Sequence, residues 1–166
     1  MMKMAVVLID MQKLFLRPLP KKTLKKILKA NVAVIEELCL KGGYPLMVVE
    51  YAGCGRTVRT LGEKIKKVPP RRRKLFLKDT WSAFENEQFA SYLLETNTDT
   101  LLLMGVYADR CVKETGEWAV AAGYKIITAS SLMAGTESDY GRSAKWYKKN
   151  GIFYKDETSL LEDLIG

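Results

Sequence analysis

Short runs of apolar residues recur along the chain and predict its strands. The first, Ala5–Ile9, has no alternation with polar residues and ends at Asp10, which is typical of a strand covered on both faces in a parallel sheet. We expect it to be a central strand. Further strands are predicted at Leu46–Val49, Leu75–Leu77, Leu101–Val106 and Lys125–Thr128, with Ile152–Phe153 as a sixth strand at the sheet edge.

Between these runs, apolar residues recur at steps of three and four, the period of a helix that buries one face. The clearest case covers residues 24–39, where Cys39 falls on the apolar face and Gly42-Gly43 ends the pattern. Further helices are predicted near residues 87–96, 110–122 and 138–149, followed by a short helix from Thr158.

The alternation of strands and helices predicts an α/β protein with a mostly parallel sheet in a three-layer α/β/α arrangement. Right-handed crossovers return each strand to the same direction and place helices on both faces of the sheet. We expect one domain over residues 1–166, because a chain of this length buries enough surface for its own core. Functional groups then gather beyond the carboxyl ends of the strands.

The composition excludes several kinds of chemistry. The chain contains no histidine, which removes Ser-His-Asp triads, Cys-His dyads and His-ligated zinc. The first strand is followed by Asp10-Met11-Gln12, where a nucleotide-phosphate loop needs glycines. We therefore expect no cofactor.

The cysteines and apolar stretches bear on the cellular setting. Cys39, Cys54 and Cys111 are widely spaced and form no C-x-x-C pair. No apolar stretch has the length of a membrane span, and the first residues lack a secretory cleavage site. We expect a reduced, cytoplasmic protein that does not bind membranes.

The chain carries a formal net charge of +8, from 27 Lys and Arg against 19 Asp and Glu. Part of this charge is concentrated in residues 64–74, here called the basic block, around Pro69-Pro70. Such a block can attract nucleic acid, but beside proline turns it is more often a solvated loop, and no aromatic stacking platform lies next to it in sequence. We expect no nucleic-acid partner. The block contains Lys64, Lys66, Lys67, Arg71, Arg72, Arg73 and Lys74.

Four polar or reactive residues fall at or just after the ends of predicted strands: Asp10, Glu50, Lys78 and Cys111. A cysteine attacks as its thiolate, and a positive charge or a helix N-terminus lowers the thiol pKa. Asp10 can accept the thiol proton while Lys78 holds it in place, which makes an acid-base set without histidine. Spacing alone leaves three structural alternatives open: a capping aspartate, a simple salt bridge and a small core cysteine.

Three segments carry a resemblance to a known family. They are Val7–Gln12 with Phe15, Lys78 followed by Ser82-Ala83-Phe84, and Gly105–Val112 with Gly123-Tyr124. Together, and in this order, they resemble the isochorismatase-like cysteine hydrolases, a superfamily that also includes nicotinamidases and carbamoylsarcosine amidases.

The resemblance implies a Rossmann-like fold with a six-stranded parallel sheet and a triad at Asp10, Lys78 and Cys111. It also implies a cis peptide between Val106 and Tyr107, so that the backbone N–H groups of Tyr107 and Cys111 form an oxyanion hole. Phe15 matches an aromatic residue of the family's substrate pocket. We further expect Tyr51, Trp81 and Tyr107 to line this pocket, with Cys54 and Arg56 as additional candidates from the strand-end loops.

The chain also departs from the family pattern. Ala108 stands where members often have Thr, Gly116 where they often have Ala, and Trp118 is bulkier than usual, which puts helix packing and substrate fit in question. Nicotinamidases hold a divalent ion with an Asp and two His after the second strand. Here that region offers only Glu50 and Cys54 beside a tyrosine, so we expect no metal.

The leading hypothesis is a cysteine hydrolase that acts on a small molecule with an amide C–N bond or an isochorismate-type vinyl ether. The alternative is a catalytically silent binding or regulatory protein of the same fold. Relatives commonly assemble, so we expect a homo-oligomer, a dimer or a tetramer. Among the three cysteines, we expect Cys111 to have the low thiol pKa, because it combines a helix N-terminus with a nearby lysine.

Overall fold

The computed structural model describes residues 2–136 and 141–166. Within these residues, parallel strands form one sheet in the order β3-β2-β1-β4-β5-β7, and β6 pairs with the end of β4. The predicted α/β fold with a mostly parallel sheet is therefore confirmed. The strands are β1 (Met4–Ile9), β2 (Leu46–Tyr51), β3 (Arg73–Lys78), β4 (Thr100–Val106), β5 (Lys125–Ala129), β6 (Met133–Ala134) and β7 (Ile152–Tyr154).

The helices connect these strands in chain order. Every residue of β1 and β4 is buried, so both faces of the sheet are covered at its centre. The helices are α1 (Lys13–Leu16), α2 (Lys21–Val34), α3 (Arg59–Ile65), α4 (Glu87–Glu95), α5 (Cys111–Ala121), α6 (Gly141–Asn150) and α7 (Glu157–Ile165). No helix in the described residues is both long enough and apolar enough to cross a lipid bilayer.

The structure corrects the predicted elements in several places. The sheet contains the strand β6 in addition to the six predicted strands. This strand has only two residues, too few to form an apolar run in the sequence. The helix predicted at residues 24–39 begins at Lys21 and continues beyond α2 as π-helix over Ile35–Lys41, with Cys39 buried as expected. The helix α3 is an addition to the predicted helices. Of the helix predicted at 138–149, residues 138–140 lie outside the described residues.

The basic block is partly used inside the fold. Lys64 forms an ion pair with Glu36 at 2.5 Å, and Lys74 lies over the rings of Phe76 and Tyr92. The Arg73 guanidinium donates to three backbone carbonyls at the end of α3 and just after it, those of residues 65, 66 and 68. The expectation of a plain solvated loop is therefore too simple, because Arg73 holds α3 and the following turn against β3, and Lys64 holds α3 against the segment that contains Glu36.

Gly105 marks the point where β4 approaches β1 most closely. Its φ is +125°, and a Cβ at this position would lie 2.1 Å from the carbonyl oxygen of Ile9. Ile9 is also its partner in the sheet register. Only glycine fits such a contact, so Gly105 allows the ends of these two strands to lie side by side.

Replacing Gly105 by Ala is expected to lower the free energy of unfolding by about 3 kcal/mol or more, because the methyl group meets backbone and the φ is unfavourable. Gly53→Ala is the control, since Gly53 also has a positive φ, +79°, but no atom lies within 4 Å of the place that a methyl group would take. It should cost about 1 kcal/mol. Denaturant unfolding of both variants measures the difference, and equal losses would contradict the packing argument.

Candidate active site

Asp10, Lys78 and Cys111 meet at the carboxyl edge of the sheet. Asp10 directly follows β1 and has a φ of +53°, which turns the chain away from the strand. Lys78 is the last residue of β3, and Cys111 is the first residue of α5. The topology therefore brings together three residues that are separated by 68 and 33 positions along the sequence.

Lys78 and Asp10 form a buried ion pair. The Lys78 Nζ donates to Asp10 Oδ2 at 2.9 Å, and the two side chains are only 1% and 2% exposed. The same ammonium donates to the carbonyl of Thr80 at 2.9 Å and lies 4.6 Å from the centre of the Tyr51 ring. A buried charge needs such compensation, so the lysine position is set by three neighbours at once.

Cys111 has a thiol pKa that is raised to about 12. Burial is the largest cause and the negative charge of Asp10 the next, while the positive charge of Lys78 only partly offsets them. The expectation that Cys111 has a low pKa is therefore wrong for the free protein. That expectation was based on the lysine and the helix N-terminus, which lower a thiol pKa. It did not include burial and the carboxylate beside the thiol, which raise the pKa.

Asp10 has a pKa above the ordinary value of an aspartate. Burial is the main cause, and it outweighs the opposing effects of Lys78 and of the nearby Cys111 thiol. The second carboxylate oxygen, Oδ1, is buried and has no hydrogen-bond partner among the described residues. A raised carboxyl pKa and a free acceptor atom are the properties of a general base.

Aromatic side chains surround the approach to these groups. The Phe15 ring lies 6.0 Å from the Tyr51 ring and 6.3 Å from the Tyr107 ring, both in edge-to-face geometry. The Tyr107 hydroxyl donates to the carbonyl of Phe15. Trp81 is 46% exposed and packs under the Arg110 guanidinium, next to Cys111. Phe15, Tyr51 and Tyr107 thus form one cluster, while Trp81 lies apart against Arg110, and a pocket lined by all four residues stays a prediction.

The peptide bond between Val106 and Tyr107 is cis, as the family resemblance implies. The Tyr107 carbonyl accepts hydrogen bonds from the amides of Arg110 and Val112, which shapes the turn into α5. Cys111 opens that helix, where the first N–H groups have no partner within the helix. Backbone amides are therefore available beside the thiol.

Two buried polar residues, Gln12 and Glu50, hold the loop after β2. The Gln12 side chain donates to the carbonyls of Tyr51 and Gly55 and accepts from the Tyr51 amide. Glu50 accepts from both the amide and the hydroxyl of Thr57, at 2.6 and 2.8 Å. Gln12 ends the first of the segments that carry the family resemblance, but its contacts with this loop were not predicted.

The departures from the family pattern are accommodated by local packing. A Cβ on Gly116 would lie 3.0 Å from the Trp146 ring, so the glycine makes room for that ring against α5. The buried Tyr147 hydroxyl donates to the carbonyl of Ala108 at 2.7 Å. Trp118 is 46% exposed and faces outward. The helix that carries Cys111 is therefore well packed despite these changes.

Neither of the two larger cavities described next is lined by Asp10, Lys78 or Cys111, whereas Lys78 lines a smaller one of about 290 Å³. One of about 730 Å³ is lined by Glu50, Thr57 and the exposed Arg56, so Arg56 is placed at a neighbouring cavity. A second, of about 670 Å³, has Tyr107 in its wall. Cys54 lies in the loop after β2 and is partly exposed. Cys111 itself is only 9% exposed.

The residues present do not fit a metal site of the nicotinamidase kind. The chain has no histidine, and Glu50 already binds Thr57. Across residues 2–136 and 141–166, no group of three or more Cys, Asp or Glu side chains is arranged to hold an ion. Catalytic zinc sites use three protein ligands, more than this loop supplies.

The fold and the site define an α/β protein with an Asp, a Lys and a Cys at the carboxyl edge of a parallel sheet. The sequence model of the isochorismatase domain matches residues 4–150. The chain therefore belongs to the isochorismatase family. A comparison with curated protein sequences found no match.

Solved structures share the same fold. An isochorismatase-like hydrolase from Alkaliphilus metalliredigens is 19% identical, with 97% of this chain and 98% of that chain covered and a TM-score of 0.80. The MAR1 ribonuclease from Caenorhabditis elegans is 19% identical, with 95% and 79% covered and a TM-score of 0.81. A nicotinamidase from Staphylococcus aureus is 20% identical, with 93% and 99% covered and a TM-score of 0.80. At these identities the likeness shows the shared fold.

Removing the Asp10 charge is expected to lower the Cys111 pKa, because that charge opposes formation of the thiolate. In Asp10→Asn, alkylation of Cys111 by iodoacetamide should begin at a pH at least about one unit lower than in the parent protein. Peptide mass spectrometry separates Cys111 from Cys54 and Cys39, and circular dichroism checks the fold. An unchanged pH profile would show that Asp10 does not act on the thiol.

Proposed function

We propose that this protein is a cysteine hydrolase of a small molecule, with Asp10, Lys78 and Cys111 as its catalytic residues. The observation that carries the proposal is the buried Lys78–Asp10 ion pair next to the Cys111 thiol in a chain of the isochorismatase family. A buried pair of this kind is costly for stability and is common where charge is needed for chemistry.

In the proposed reaction, Asp10 takes the thiol proton as the Cys111 sulfur attacks the carbonyl carbon of an amide. The proton transfer and the attack are coupled because the thiol is protonated in the free protein. Lys78 keeps its proton throughout and stabilises whichever of the two partners is negative. The backbone N–H groups of Tyr107 and Cys111 stabilise the oxyanion.

Asp10 then returns its proton to the leaving amine, and the C–N bond breaks. The product is a thioester between the acyl group and Cys111. Water attacks this thioester, with Asp10 accepting a proton again, and the carboxylic acid is released as the thiol re-forms. Every proton moves between the substrate, water, Cys111 and Asp10, so the cycle closes without a metal or an external cofactor.

The substrate class is an amide C–N bond or an isochorismate-type vinyl ether. The fold shared with the S. aureus nicotinamidase supports an amide. Nicotinamide itself is not the substrate we propose, because the metal ligands that nicotinamidases use after the second strand are missing here. Phe15, Tyr51, Trp81 and Tyr107 make up the proposed pocket wall, which favours a substrate with a flat or apolar portion.

A silent binding or regulatory protein of the same fold is the second candidate. The raised pKa of Cys111 and its 9% exposure favour it, since both slow the attack of the sulfur. Turnover decides between the two functions.

We also infer that the chain works as a homo-oligomer. Leu75 and Leu77 are 55% and 54% exposed on β3, which is the edge strand of the sheet, and this supports burial against another copy. Light scattering after size exclusion measures the mass in solution.

Asp10→Asn, Lys78→Ala and Cys111→Ser are each expected to reduce turnover at least about a hundredfold, because each removes one part of the proton transfer or the nucleophile. The assay is a panel of small amides and isochorismate with mass detection of products, with and without a chelator. Trp118→Phe is a matched control on the exposed face of α5 and should keep the parent rate. Rates within a few-fold of the parent for Asp10→Asn or Lys78→Ala would assign that residue a structural role.

The dependence of kcat/KM on pH tests the role of Asp10 as a base. Activity should fall as the pH decreases through the Asp10 pKa, because the protonated carboxyl cannot accept the thiol proton. Since that pKa is raised, this acid limb is expected above the ordinary aspartate value of about 4. Glu50→Gln should move the limb to lower pH, because the Glu50 charge also raises the Asp10 pKa. A limb at or below the ordinary value would contradict this assignment.

A further inference from the structure

The net positive charge of the chain is concentrated in one acid-free segment, residues 11–35. This segment contains seven of the 27 cationic residues and none of the 19 acidic ones. The rest of the chain holds 20 cationic and 19 acidic residues and is therefore nearly neutral. The cations of the acid-free segment are Lys13, Arg17, Lys21, Lys22, Lys25, Lys26 and Lys29.

All seven cations are exposed, and none forms an ion pair with another residue in the described parts of the chain. Five of them lie on α2, whose opposite face is buried through Ile27, Ala30 and Val34. Lys21, Lys25 and Lys29 follow one another at four-residue steps, about 6 Å along the helix axis. The outer face of α2 is thus a row of unpaired positive charges.

The charged helix borders the candidate active site. Lys22 and Lys26 line the cavity of about 670 Å³, and Tyr107 forms part of the same wall. Tyr107 in turn packs against Phe15, which lies in the acid-free segment between Lys13 and Arg17. The cavity therefore places Tyr107, the member of the aromatic cluster that lines it, beside the lysines of α2.

From this arrangement we propose that the acid-free segment binds single-stranded nucleic acid. The phosphates follow the lysines of α2, and a base enters the cavity against the ring of Tyr107, which packs against Phe15. Rows of cations next to aromatic side chains are the features that bind single strands without reading their sequence. This inference does not depend on the proposed hydrolase function, since binding requires no turnover.

The expectation of no nucleic-acid partner rested on the basic block, which has no stacking platform beside it. In the structure, several cations of that block already have partners. One pairs with Glu36, one donates to carbonyls near α3, and Lys74 lies over aromatic rings. The unpaired charge and the aromatic rings are found together at the acid-free segment instead.

A membrane surface fits these observations less well. A helix that lies in a lipid interface inserts its apolar face, whereas the apolar face of α2 is buried in the protein core. The cavity also favours a ligand that offers a flat ring rather than an even layer of headgroups.

The experiment measures fluorescence anisotropy of a labelled uridine oligomer of about twelve nucleotides at several salt concentrations. In the test variant, Lys22, Lys25, Lys26 and Lys29 are replaced by Gln. We expect affinity to fall at least about tenfold and the slope of log affinity against log salt to fall by up to about 3, because each lost phosphate contact removes roughly 0.7.

A matched control keeps the same net charge as the test variant. Lys125, Lys145, Lys148 and Lys149 are exposed residues outside the acid-free segment, and their replacement by Gln also removes four charges. This control should bind within about threefold of the parent protein. Equal losses in the two variants would overturn the proposal, because the effect would then belong to net charge alone.

Phe15→Leu separates nucleic acid from other polyanions. The Tyr107 ring then loses the side chain that packs against it and stacks less well on a base, so that binding of the uridine oligomer weakens at least about fivefold. Binding of heparin, which has no bases, should stay unchanged. An equal effect on both ligands would overturn the role of the bases. Binding to vesicles that contain phosphatidylserine, without binding to the oligomer, would assign the surface to membranes and overturn the proposal.

Discussion

The buried ion pair between Lys78 and Asp10 is the constraint on which the site depends. It joins the ends of β3 and β1, which are separated by β2 and therefore by about 10 Å in the sheet. Removing one partner of such a pair leaves an uncompensated buried charge, which costs about 3–5 kcal/mol. The pair thus restrains the lysine, the carboxylate and the Tyr51 ring between them.

Charge balance explains why the thiol is protonated in the free protein. Lys78 supplies one positive charge, and Asp10 already supplies one negative charge beside it. A second negative charge on Cys111 would be buried without compensation, which is why the pKa of Cys111 is raised to about 12. The same reasoning makes the carboxylate and the thiol one unit that shares a single proton. In the proposed reaction, attack by the sulfur moves that proton within the unit and leaves the total charge unchanged.

Much of the fold was predictable because buried strands leave long apolar runs. β1, β4 and β2 are buried along almost their whole length, and the sequence pattern found each of them. β6 was not predicted because a strand of two residues is too short to show a recognisable pattern of apolar and polar positions. The helix α3 was missed because polar and charged residues interrupt its apolar positions, and Leu61 is its one buried residue. The π-helical end of α2 depends on how its side chains pack, which the helical period does not show.

The chemistry of the candidate site was likewise only partly predictable from the sequence. The residues at strand ends were found from the sequence because parallel strands end at one edge, and the family resemblance indicated which of them belong together. The thiol pKa was predicted in the wrong direction because it depends on burial and on the distance to a carboxylate. Neither quantity is visible in the spacing of residues. Gln12 escaped notice for a similar reason, since its three hydrogen bonds go to backbone atoms more than thirty positions away.

The candidate site at the strand ends, here called the centre, differs in charge from the acid-free segment of residues 11–35, here called the rim. This difference affects which ligands are attracted. Lys78, Asp10 and the protonated Cys111 thiol together carry no net charge in the free protein. These three groups therefore exert little attraction on a charged ligand over a distance. The rim, by contrast, carries seven unpaired cations in the acid-free segment and half-buried aromatic rings. Long-range attraction of a ligand therefore comes from the rim, and the centre contributes only at contact. Under the two proposals made above, ligand charge is selected by residues 11–35, while the chemistry depends on the ion pair and the thiol.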